Sequence, residues 1–363
     1  MSVFAAIAVL GLLVAVHELG HFLAARLQGI HVNRFSIGFG PVVLKYQGAE
    51  TEYALRAFPL GGFVGFPDDD PDSEIPDNDP NLMKNRPVMD RAIVISAGVI
   101  ANLIFAYLVF VLQFGILGVQ DFNVEPGVAI PQVVATDAPA AQAGLRSGDV
   151  VIAVDGQTLG SGEPAERVFM EAIQSNPNQP IDLLVEREGS ELNLQVTPRV
   201  EEDGTARIGA LLAPNGTTEF RRPNGLGEIF GGAAQQFQVM FLRTVEGFVT
   251  LITNFSSVAG QVAGPVKIVE QGAALASNNI GYLFPFTALI SINLAIINIL
   301  PLPALDGGQL AFLLIEAARG KPLPSRLQEN VMQTGLVVLL GLGLFLIVRD
   351  TTQLDAVQRL FQQ

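Results

Sequence analysis

A chain of 363 residues in which 49% are hydrophobic, 15% are charged and none is cysteine has the balance of a membrane protein rather than of a soluble enzyme. Without cysteine there are no disulfides and no thiolate metal sites, so a zinc ion has only imidazole and carboxylate to hold it. The net charge of -14 argues against nucleic acid as a partner, whose binding needs basic patches to displace counterions.

In chain order, the first apolar run is Met1 to Val16. It lacks a basic start, its pattern resumes at Leu19, Phe22, Leu23 and Ala25, and no small-residue cleavage site follows. These features favour a membrane helix over residues 1–25 above a signal peptide. The interruption is His17-Glu18-Leu19-Gly20-His21, an H-E-x-x-H pattern. Histidines four apart stand about 40° apart on a helix and one turn along it, so both imidazoles reach one zinc ion. Glu18 then lies beside the metal as catalytic base. A charged group at membrane depth costs on the order of 2–3 kcal/mol, so a helix seldom carries such residues without a task. His31, beyond the helix, reads as an ordinary loop residue.

Residues 26–91 hold Arg26, Arg34, Lys45, Arg56, Lys84, Arg86 and Arg91, which marks the cytoplasmic side. Within them, residues 42–66 have a β-favouring alternation (Val42, Val43, Leu44, Tyr53, Leu55, Phe58), and residues 68–80, dense in acids and prolines, read as a flexible loop. A second span over 92–119 leads outward and leaves 120–212 as a folded extracytoplasmic domain. Residues 213–279 read as linker and interfacial amphipathic helices. Phe237, Met240, Phe241, Val245, Phe248 and Ile252 form one stripe there, with Arg243 and Glu246 away from it. A third span covers 280–306, a cytoplasmic loop 307–328, a fourth span 329–348, and an extracytoplasmic tail 349–363. A catalytic zinc needs a third protein ligand, and Asp306 is the candidate. Four spans place it at the same face as His17, about 24 Å along its own helix, whereas five would place it opposite. The prolines and glycines around it break the helix, which a membrane tolerates only where protein or a water-filled cavity covers the freed backbone.

His17 to His21 and Asn298-Ile299-Leu300-Pro301-Leu302-Pro303-Ala304-Leu305-Asp306-Gly307-Gly308 enclose Phe35-Ser36-Ile37-Gly38-Phe39-Gly40-Pro41, Pro59-Leu60-Gly61-Gly62-Phe63-Val64 and Ala263-Gly264-Pro265-Val266-Lys267-Ile268. In this order the motifs resemble the site-2 protease family of zinc intramembrane metalloproteases (peptidase family M50), of the bacterial type that regulates sigma-E. The resemblance implies one zinc per chain on His17, His21 and Asp306. It also implies a substrate backbone handled by Asn298, with Pro301 and Pro303 nearby, and by Gly61, Gly62 and Phe63 of a membrane-associated β-loop. Ala97-Gly98-Val99 with Asn102 departs from the family's Ala-Gly-Pro followed by Asn, and is expected to alter local helix geometry without consequence for the metal.

Asp137 to Gly156, with its A-G-L-x-x-G-D and V-D-G turns, resembles the core of a PDZ domain, followed by a helix over about 165–175 and a hairpin of 181–185 with 192–196. Such domains bind extended peptides at a sheet edge, expected here near Gly127, Val128, Ala129 and Ile130. A peptide groove and a steric gate are both open, with the gate preferred. The expected whole is a polytopic α-helical membrane protein of four transmembrane helices, with an inserted extracytoplasmic PDZ domain (α+β) and a membrane-associated β-loop. It would sit in the bilayer of a bacterial inner membrane with its active site near the cytoplasmic face. Expected substrates are single-span membrane proteins: an anti-sigma factor pre-cut by another protease, or remnant signal peptides. A membrane scaffold and a metal transporter are the readings from other classes.

Overall fold

The computed structural model describes residues 2–70, 73–135, 137–201, 204–255 and 262–353. Part of the predicted acidic loop, part of the linker and the tail from residue 354 lie outside them. The chain forms two compact units, residues 1–117 with 223–363, and residues 118–222. Among the described residues, four helices are long and apolar enough to cross a membrane: Val3–Leu27, Val88–Ile116, Ile280–Ile299 and Ser325–Thr352.

In the first unit, α1 (Ser2–Leu27) is apolar on all sides apart from the H-E-x-x-H turn and Arg26 in its last turn, as suits a helix surrounded by hydrocarbon or other helices. Next come β1 (Arg34–Gln47) and β2 (Glu52–Gly65), each bent so that the pair forms four rungs. Residues 42–47 run against 52–56, with Gln47 opposite Glu52. Arg34–Ile37 lie parallel to Glu52–Leu55 on one side and antiparallel to Gly62–Gly65 on the other. The pairing thus starts eight residues before the predicted 42–66. Phe35 is the reason, since its ring packs against Phe22 of α1 and Tyr53. The described start of the acidic segment is tied to its surroundings: Asp68 accepts the amides of Met83 and Lys84 at 2.9 and 3.1 Å, and Asp70 accepts from Asn33 and Arg34. Its carboxylates satisfy donors that a turn leaves open.

Helix α2 (Val88–Ile116) begins four residues before the predicted span and ends earlier, because Gly118 adopts φ +94° and Val119 starts a strand. It meets α1 closely: a Cβ on Gly20 would lie 2.4 Å from the Ala97 carbonyl oxygen, so only glycine lets the backbones approach.

The second unit holds β3 (Val119–Val133), α3 (Pro139–Gln142), β4 (Val150–Val154), α4 (Gly162–Ser175), β5 (Ile181–Arg187), β6 (Ser190–Val196) and β7 (Ala210–Arg221). The sheet order is β7-β3-β4-β5-β6, with the short strand Gln157–Thr158 beside β4. Glu188 and Gly189 both have positive φ, the conformation of a two-residue hairpin turn. The unit extends to residue 222 rather than 212 because β7 pairs with β3 as far as Arg221 opposite Val119. This corrects the predicted peptide edge. Val128 and Ala129 pair with Pro214 and Ala213 on one side and with Val151 and Val150 on the other, while Gly127 sits against Val150. Val128 and Ile130 are wholly buried. The chain's own β7 fills that edge, and Pro214 and Gly216, which weaken a strand signal, are tolerated because β7 is itself an outer strand.

Back in the first unit, α5 (Leu226–Thr253) carries the predicted apolar stripe, and protein partly covers it, leaving Ile252 at its end exposed. Phe237, Met240, Phe241, Val245 and Phe248 pack on a core built from Ala106, Val109 and Phe110 of α2 and from Ala288, Ile292 and Ile296. α6 (Pro265–Asn278) packs on α1, with Gly272 close to Ala6 and to Phe286. The predicted third span ends early, with α7 (Leu283–Ile299), and its last predicted residue, Asp306, instead opens α8 (Asp306–Arg319), before α9 (Ser325–Gln353). Leu300 is extended (ψ 141°) as a residue before proline must be, and Ala304 is left-handed at φ +69°. Most of the predicted loop 307–328 is therefore helix, closed by Gly320 at φ +70°.

Candidate metal centre and active site

His17 and His21 point from α1 to the first residue of α8. His17 Nε2 lies 3.2 Å and His21 Nε2 3.4 Å from Asp306 Oδ2, and the two Nε2 atoms are 3.2 Å apart. Ligands held about 2.0–2.1 Å from a tetrahedral zinc would be separated by about 3.3–3.4 Å. The donor set therefore fits zinc in kind and in spacing. Asp306 Oδ2 is buried without a hydrogen-bond partner, an arrangement a cation resolves. Asp306 does not end the preceding span; it opens α8, whose glycines let the turn close. A Cβ on Gly307 would fall 2.1 Å from the Leu300 carbonyl oxygen, and one on Gly308 2.4 Å from that of Leu302.

The rings rest on α2. His21 Nδ1 donates to the Val94 carbonyl at 2.8 Å, and His17 Nδ1 lies 3.2 Å from the Asn102 side-chain amide. Between these contacts Gly98 touches both rings: its Cβ would come 2.3 Å from His21 Nε2 and 2.7 Å from His17 Cε1. The segment expected to be indifferent to the metal is thus the floor of the candidate site. The signal for it was available, since Asn102 is a polar residue in a long apolar helix and stands one turn from a glycine.

Glu18 has its carboxyl within electrostatic reach of His17, His21 and Asp306 and close to the backbone amide of Val64. Gly62 lies against it, for a Cβ there would be 2.8 Å from Glu18 Cγ. Among the described residues, Gly62–Gly65 pair only with Arg34–Ile37, so the predicted β-loop presents an edge beside the glutamate. Gly61 (φ +112°) packs on Phe39, and the Phe63 ring lies under the Arg56 guanidinium at 5.5 Å. Asn298 is buried in the last turn of α7. Pro301 is exposed, and Pro303 is engaged by α9, where a Cβ on Gly335 would meet it at 2.2 Å. Gly127, Val128, Ala129 and Ile130 belong to the other unit and its sheet interior.

Residues 5–342 match the family described as Peptidase family M50. A Nostoc protein named as a zinc metalloprotease is 60% identical over 367 residues and covers the whole of both chains. The chloroplastic membrane metalloprotease ARASP of Arabidopsis thaliana is 48% identical over 99% of this chain and 80% of its own. The regulator of sigma-E protease RseP of Escherichia coli is 29% identical over 93% and 96%.

Proposed function

This chain belongs to peptidase family M50, the site-2 zinc metalloproteases, and from that membership we propose that it cuts single-span membrane proteins at a site held between its own membrane helices. The observation that carries the proposal is the convergence of His17 and His21, with Glu18 alongside, from a helix of membrane-spanning length on Asp306, which opens the short helix following another such span. His17, His21 and Asp306 would hold one zinc ion per chain, which when bound supplies Lewis-acid polarisation of water and of the scissile carbonyl. Glu18 accepts the proton of the attacking water and returns it to the leaving amine.

A substrate helix shields its own amides and must unwind before hydrolysis. The unpaired edge of Gly62–Gly65 offers replacement hydrogen bonds by strand addition, and its glycine at position 62 lets a strand lie close to Glu18. Asn298 would take a further backbone group through its side-chain amide, with Pro301 beside the same path. The basic residues of 26–91 support a cytoplasmic site and an extracytoplasmic second unit, of PDZ type, in a bacterial inner membrane. That unit serves as a size gate that turns away substrates with intact outer domains, and any peptide it binds would add to the outer edge of β7. Suitable substrates are anti-sigma-type proteins pre-cut by another protease, or remnant signal peptides.

The test compares full-length protein and Glu18→Gln, purified in detergent, on a panel of single-span proteins with trimmed outer domains. Loss of a general base should slow cleavage by about 10²–10⁴-fold. Equal processing by the two would overturn the proposal.

A further inference from the structure

His17 and His21 offer Nε2 to one point, and a neutral imidazole can do so only with its proton on Nδ1. For His21 the matter is settled by the Val94 carbonyl, 2.8 Å from Nδ1 and able only to accept. His17 has a different kind of partner. Its Nδ1 faces the amide of Asn102 at 3.2 Å, and an amide has one accepting and one donating end. Asn102 is wholly buried in α2, among apolar neighbours. Nδ2 faces the ring while Oδ1 is buried without a partner. A half-turn about χ2 exchanges the two ends.

We infer that Asn102 is the positioning residue of His17: its Oδ1 accepts Nδ1–H, which fixes the ring plane and tautomer and leaves the Nε2 lone pair facing Asp306. The inference rests on the zinc-peptidase reading and adds α2 to the machinery. Asn102 is itself held from a third helix, since Ser291 Oγ of α7 donates to its backbone oxygen at 2.8 Å, both residues being wholly buried. An apolar side chain of similar size would strand Nδ1–H in the interior. The proton would then move to Nε2, where it blocks the metal.

Zinc retention against a graded chelator, read on full-length protein in detergent, tests this without reference to activity. The visible absorption of cobalt-loaded samples reports the coordination geometry. Asn102→Leu should weaken retention about 10–100-fold and change the cobalt spectrum. Asn102→Asp, whose carboxylate only accepts, should stay near wild type. Wild-type retention by Asn102→Leu, or a loss by Asn102→Asp as large as that of the leucine variant, overturns the inference. Where Asn102→Leu does not fold, the aspartate variant decides alone: near-wild-type retention upholds the inference and a tenfold loss overturns it. His21→Ala separates the two levels. If it too retains zinc, the metal centre is refuted and the role of Asn102 with it; if it loses zinc while Asn102→Leu does not, only the role of Asn102 falls.

Discussion

Gly98→Ala puts a methyl group inside the proposed metal centre. Its Cβ would stand 2.3 Å from His21 Nε2 and 2.7 Å from His17 Cε1, whereas real Cβ contacts do not fall below 3.0 Å. Relief requires a movement of at least 3.0 − 2.3 = 0.7 Å, while a zinc site tolerates about 0.2 Å in its ligand distances. The His21 ring has little freedom to yield, because Nδ1 is tied to Val94, one turn earlier on the same helix. Overpacking of this kind costs about 1–3 kcal/mol. If that falls on the metal-bound arrangement, zinc affinity drops by about 5–150-fold. Chelator competition on the purified protein measures the drop, and cleavage of a single-span substrate should fall with it. Gly115→Ala on the same helix, where nothing lies within 4 Å, is the control and should be neutral. Wild-type zinc affinity and cleavage in Gly98→Ala would refute the placement of α2 beneath the two rings.

Two further perturbations probe the supports of the site and of the second unit. Arg91 of α2 forms a two-pronged ion pair with Glu316 of α8, largely buried at 17% and 14% side-chain exposure. Arg91→Ala should cost about 3 kcal/mol by leaving the carboxylate unpaired, and should weaken zinc retention because α8 begins at Asp306. The exchange Arg91→Glu with Glu316→Arg should melt higher than either single variant; a double variant no better than the worse single one sinks the idea. In the second unit, burial by itself pushes the Asp149 carboxyl up. The Arg187 guanidinium, bonded to both carboxylate oxygens at 2.7 Å, and the Arg146 amide outweigh it and hold the group below its ordinary value. With the folded pKa depressed, the stabilisation is fully present above the unfolded value of about 3.9 and is lost as pH falls through the lower folded value. The calorimetric transition of this unit should therefore drop steeply in acid for wild type. Asn at position 149 should start lower and respond less, and identical acid profiles would exclude the pair as the cause.

What could be read from the sequence and what could not divide along a physical line. The H-E-x-x-H turn was legible because helical spacing alone brings the two imidazoles to one face. The hairpin Ile181–Val196 was legible for the same reason, its period and its Glu188-Gly189 turn being local. Strand β7 was not. Its Pro214 and Gly216 look like loop residues, and what makes them a strand is the partner β3, about ninety residues earlier. In the sequence Gly98 and Asn102 read as a variation in helix geometry. Their meaning comes from the close crossing of α1, which Gly20 and Ala97 permit and which no single-helix pattern reveals.

Asp306 shows a signal that was present and assigned to the wrong end. An apolar run followed by Pro-Leu-Pro-Ala-Leu-Asp-Gly-Gly reads as a span ending in a turn, and parity then carries the aspartate to the inner face. Yet aspartate is a helix-starting residue, and thirteen residues on the chain has Arg319 and then Gly320, the usual marks of a helix end. With Asp306 as the first residue of α8 rather than the last of α7, its position depends on the break between them: two prolines, a left-handed Ala304, and two glycines packed beneath the carbonyls of Leu300 and Leu302. The placement has a chemical consequence as well. The first turn of a helix favours an anion through its unpaired amides and dipole, and an ionised carboxylate is the form that binds a metal. The same break that ends α7 therefore both aims Asp306 at His17 and His21 and favours the charged form that a bound metal would need.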